Sequence, residues 1–190
     1  MNYSRLLVAV ATATVLTASP ASAQDFVRPE APLDSARATV RDAILVLRDS
    51  LQAVHAGGAR MQRDFQSASG AALLSRAAAM RDGCAASART VPVTRAAIMA
   101  GPAGTETARS ARARLIAEMD DLSTALAACE RAFGAWVEEA DGEDVRGYGN
   151  RQAETVRTAL LAYEERLQRY LGAMRIRIMP IGAGAPQSPS

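Results

Sequence analysis

From Leu115 to Trp136 the large side chains fall at alternating steps of four and three: Leu115, Met119, Leu122, Leu126, Cys129, Phe133, Trp136. An α-helix turns once per 3.6 residues, so this spacing lines one face of a helix with apolar groups. A sustained repeat near 3.5 calls for knobs-into-holes packing against other helices. Thr105 stands where an N-cap belongs, and Glu106 suits the positive end of the helix dipole. The pattern predicts a helix from about 105 to 140.

Three other stretches carry a comparable stripe. Asp34 is placed to cap a helix whose face is Val40, Ile44, Leu47, Leu51, Val54, Met61 and Phe65. Gly57-Gly58 costs about 1 kcal/mol per glycine relative to alanine, so this helix, over 34–66, is expected to be weakened or bent there. The phase breaks at Ser67-Ala68-Ser69-Gly70, a turn-forming run. A second helix is expected over 71–91, with Leu73, Ala77, Met80, Cys84, Ala88 and Val91 inward. Pro92 lacks an N–H and disfavours helix in the residue before it, so a short separate helix is expected over 93–100, bearing Ile98 and Met99. Gly101-Pro102-Ala103-Gly104 is a stop. The last helix is expected from Asn150, with Val156, Leu160, Tyr163, Leu167, Leu171 and Met174 on its seam and a Glu165–Arg169 pair outside. Residues 141–149 read as a loop rich in glycine and acid.

Four such segments joined by short connections imply an all-α, up-down four-helix bundle over 34–179. The alternative is a three-helix coiled-coil bundle with a mobile Gly-rich arm. Composition agrees with helices. Apolar residues make up 49% of the 190, yet aromatics only 4%, so the core must be built from Ala, Leu, Val, Ile and Met. Ala leads the helix-forming scale.

The first 23 residues read as an address. Arg5 gives a charged start, Leu6–Ala18 an apolar stretch, and Ala21-Ser22-Ala23 a cleavage signature, with Gln24 as the mature start. That stretch is shorter than the roughly 20 residues that span a bilayer core, and no later segment is apolar enough to do so. The expectation is a periplasmic or secreted protein, with a linker at 24–33 and a disordered tail at 180–190, where little can be buried.

Every basic residue is arginine. The full chain has 22 against 20 acids, and loss of Arg5 with the leader leaves 21 against 20. No run of arginine is dense enough for a basic patch, so nucleic acid is not an expected partner.

Cys84 and Cys129 are the two cysteines, both on seams. In an oxidising compartment they should pair. Their Cα atoms must then approach within about 7 Å. Cys129 lies about 36 Å along its helix from Thr105, whereas Cys84 is only about 10 Å from Val91. The pairing therefore requires 92–104 to continue along the bundle axis.

Chemistry-bearing motifs are few. There is no nucleophile elbow, P-loop, H-E-x-x-H or dinucleotide fingerprint, and no C-x-x-C-H for haem attachment. His55, the single histidine, could serve with Met61 as a haem or metal ligand, but a lone histidine without carboxylates is a weak site. Glu138, Glu139, Asp141, Glu143 and Asp144 crowd seven positions without the spacing of a Ca²⁺ loop. They read as a solvated surface, and with Tyr148, set between two glycines, as a candidate interaction surface. Phe133, Gly134 and Trp136 read as core. The functional expectation is an exported, non-catalytic helical protein of the cell envelope that binds or scaffolds a protein partner and needs no cofactor. A haem or small-ligand binder is the alternative, and pairing of seams between chains could make a homodimer.

Overall fold

A computed structural model describes residues 34–64, 69–139 and 143–181, excluding the side chains of 64 and 143–146. The expected leader and linker, Phe65, Asp141 and 182–190 of the expected tail lie outside these residues. Four helices follow in order: α1 (Ser35–Asp64), α2 (Gly70–Ala100), α3 (Glu106–Glu138) and α4 (Glu143–Met174). There is no strand among the described residues. No helix there is long and apolar enough to cross a membrane.

Neighbouring helices run antiparallel. Val54 of α1 faces Gly83 of α2, and Val40 faces Gly101. Cys84 of α2 joins Cys129 of α3, and Arg95 pairs with Asp120. Trp136 of α3 lies on Gly149 of α4, and Glu118 pairs with Arg166. This is an all-α, up-down bundle. The packing is unequal: each helix lies along its successor, while α1 and α4 meet over only a short stretch. The three-helix alternative does not form, because α1 is docked on α2 rather than held as a loose arm.

The stripes read from the sequence form the core. All seven α3 residues from Leu115 to Trp136 are buried, as are the α4 seam from Val156 to Met174 and the α1 seam from Val40 to Met61. Caps fall where expected at two helix starts. Asp34 accepts from the Arg37 N–H at 2.8 Å, and Thr105 from the Ala108 N–H at 3.1 Å. Ser69 caps α2 in the same way.

Three helices bear on the expected bounds, and two of them depart from expectation. First, α2 does not stop at Val91 but continues through Pro92 to Ala100. The buried series Cys84, Ser87, Val91, Thr94, Ile98 keeps the four-and-three phase across the proline, whose ring side is exposed. Thr94 also donates its hydroxyl to the Ala43 carbonyl of α1 at 3.0 Å, which ties the far half of α2 down. Tertiary packing here outweighs the local cost of a missing N–H. Second, α1 is one helix through Gly57-Gly58, in keeping with the single helix read over 34–66. Third, α4 begins at Glu143, not Asn150, so Gly147, Tyr148 and Gly149 are helical. A β-carbon on Gly149 would lie 2.7 Å from Trp136 Cε3, so the bare backbone lets the indole pack flat on α4. Burying the indole offsets the poor helix propensity of the two glycines.

At its C-terminus α4 ends on Arg175 with φ 55°, the left-handed turn that satisfies the last carbonyls. The Ile176 N–H donates to Leu171 O at 2.9 Å. Ile176 is buried and Ile178 and Ile181 pack on the core, so the ordered body reaches past residue 179.

Candidate functional site

The sparse contact between α1 and α4 leaves a seam, and a cavity of about 50 Å³ opens into it. Its floor is apolar: Val54 of α1, Met80 of α2, and Ala153, Val156 and Leu160 of α4. His55, Gln62 and Arg157 stand around it. The two glycines that looked like a weak point in α1 shape this place. A β-carbon on Gly57 would lie 2.6 Å from Met80 Sδ, so Gly57 admits the thioether. One on Gly58 would meet nothing within 4 Å, so Gly58 widens the cavity.

A polar bridge crosses the seam beside the cavity. Arg157 donates from Nε to Glu154 Oε2 at 2.8 Å and from its second fork nitrogen to Oε1. Gln62 of α1 donates to the same Oε2 at 3.5 Å. The hydrogen bonds from Arg157, with a smaller share from Gln62, hold the Glu154 carboxyl below its usual range. Glu154 in turn raises Arg157.

Of the candidate ligands, His55 lines the cavity but Met61 does not. Met61 is fully buried on the α1 seam, and the sulfur in the cavity wall belongs to Met80. No linear pattern links His55 to Met80, because Met80 is on another helix. No three His, Cys, Asp or Glu side chains gather to hold a metal ion among the described residues.

Of the candidate interaction surface, Glu138, Glu139 and Tyr148 lie among the described side chains. Glu138 and Glu139 are exposed at the end of α3. Glu138 sits at the negative end of the helix dipole but faces Arg81 of α2. That guanidinium is raised chiefly by its hydrogen bond to Asp82, with Glu138 and Glu130 adding their charge. Tyr148 is exposed, as expected, but on a helix, with the Arg151 guanidinium 5.9 Å over its ring. Asp141 and the side chains of Glu143 and Asp144 are outside the description. Phe133 and Trp136 are core, stacked with centroids 5.7 Å apart.

Cys84 and Cys129 are joined, with Cα atoms 6.1 Å apart. The bond fastens α2 to α3 in mid-bundle, as the continuation of 92–104 along the axis allows. Among the described residues, three hydroxyls are buried without a hydrogen-bond partner: Ser87 of α2, Tyr163 and Tyr170 of α4. Burial pushes both phenols up.

Comparison with protein-family models, curated proteins and solved structures finds no match for this chain.

Proposed function

We propose that the mature chain is an exported, non-catalytic binding protein of the cell envelope that receives one apolar side chain of a protein partner in the α1–α4 seam. The observation that carries this reading is the cavity itself: an aliphatic floor with His55, Gln62 and Arg157 around it, where α1 and α4 meet over only a short stretch. Interface hot spots have this form, an apolar anchor in a pocket with polar groups around it. Export rests on the leader pattern at 1–23, and the Cys84–Cys129 bond is compatible with an oxidising compartment.

The volume favours a side chain over a cofactor. About 50 Å³ is a third of the roughly 150 Å³ cavity that admits benzene. It holds the tip of an aliphatic group, and a haem would have to part the helices.

The test is affinity capture from the cell envelope with wild-type protein and with Gly58→Leu, which fills the cavity from a position with open space around it. The reading expects a partner captured by the wild type and lost with the folded variant. Capture of the same partner by both would contradict it. A Soret band on mixing with haem would revive the cofactor alternative.

A further inference from the structure

A second groove lies on a different pair of helices, away from the α1–α4 seam. It encloses about 440 Å³ between the start of α3 and the C-terminal half of α4. Thr107, Ser110 and Arg114 line it from α3, and Arg166 and Arg169 from α4. Arg114 is 52 positions before Arg166 in the chain, so no run of sequence brings it to the Arg166–Arg169 pair. The fold makes the basic cluster that the linear pattern lacks.

The state of each donor matters. Arg166 donates to Glu118 at 3.2 Å, and Arg169 pairs with Glu165. Glu106, also on the rim, is taken by Arg109 at 2.7 Å. Arg114 is exposed and has no carboxylate partner among the described residues. The hydroxyls differ in the same way. Thr124, Thr155 and Thr158, elsewhere on α3 and α4, return theirs to a carbonyl of their own helix. Thr107 and Ser110 make no such bond among the described residues, so their O–H groups are available in the groove.

We propose that this groove is an anion site for a phosphate monoester. Three guanidinium forks and two hydroxyls offer donors from two helices around one space. Guanidinium matches phosphate oxygens in pairs, a geometry that a lysine ammonium does not provide. A tetrahedral dianion can bridge Arg114 to Arg166 and Arg169 while Thr107 and Ser110 donate to its remaining oxygens. The volume is within the range of small-molecule sites, so the phosphate can carry an organic body. The phosphate can belong to a soluble ester or to a lipid headgroup. The site is exposed, so its affinity should fall with salt.

The test uses the full mature chain at 0.15 M salt. Glycerol phosphate is titrated calorimetrically, and vesicles of neutral phospholipid with one-fifth phosphatidic acid are tested by flotation. Two variants address the groove: Arg114→Glu removes the unpaired fork, and Ser110→Asp sets a carboxylate inside. Both positions are exposed, so both variants should melt like the wild type. Saturable binding of glycerol phosphate, weakened at least tenfold by each variant, supports the proposal and a soluble ligand. Binding to the vesicles alone, lost in both variants, supports it with the phosphate on a lipid. No saturable binding in either arm, or binding unchanged by both variants, overturns it.

Discussion

Gly149 of α4 lies so close to Trp136 of α3 that a β-carbon at 149 would stand 2.7 Å from Cε3 and 3.1 Å from Cζ3 of the indole. Alanine is the better helix former by about 1 kcal/mol, so a helical glycine is normally improved by that change. At 149 the clash with a buried ring should outweigh the gain, since overfilling a packed core costs roughly 1–3 kcal/mol. Gly147 is the control. Its added β-carbon would meet only Arg151 Nη1, at 3.5 Å. Urea denaturation should show Gly149→Ala destabilised and Gly147→Ala stabilised by up to about 1 kcal/mol.

The adjacent glycines of α1 should likewise separate. Gly58→Ala has open space and should gain up to about 1 kcal/mol. Gly57→Ala must displace Met80 Sδ from 2.6 Å, so it should gain less or lose stability. Equal denaturation midpoints for the two variants would show that Met80 does not sit against Gly57.

The staple between α2 and α3 closes a loop with a sequence separation of 45. In the chain-entropy model its removal costs about 4 kcal/mol. Cys84→Ala/Cys129→Ala should lose stability of that order, and reductant should lower the melting temperature of the wild type but not of the variant.

Tyr163 is wholly buried, and its hydroxyl has no hydrogen-bond partner. Tyr163→Phe should therefore be neutral or stabilising, whereas Thr94→Val, which deletes the bond to Ala43, should cost about 1 kcal/mol. The same burial gives a pH signature. The folded phenol is raised above its unfolded value near 10, so its contribution is complete below about pH 10 and is lost as pH climbs further. Tyr163→Phe should lose less stability than the wild type in alkaline denaturation.

Much of the fold was legible because it is periodic. The seams of α1, α3 and α4 were legible residue by residue, and so was the cysteine pair, since Cys129 lies on the α3 seam and Cys84 on that of α2. What was not legible depends on neighbours distant in sequence. Pro92 and the pair Gly147/Gly149 carry local signals against helix, and these are overridden by Thr94 on Ala43 and by Trp136 on α4. The continuing phase from Val91 to Ile98 was the clue to the first. From the sequence His55 reads as a candidate ligand together with Met61, but the sulfur beside it in the cavity is that of Met80, which sequence proximity cannot reveal because it crosses from α2. The arginine groove joins two helices and was invisible to a search for runs of charge.

The proposed export of this helical body, with one disulfide between α2 and α3, has a direct test in intact mass spectrometry of the protein recovered from the cells that make it. The predicted mass is that of a chain beginning at Gln24 and lacking two hydrogens, with no thiol open to alkylation. A mass that retains residues 1–23, or two alkylated cysteines without reductant, would contradict it.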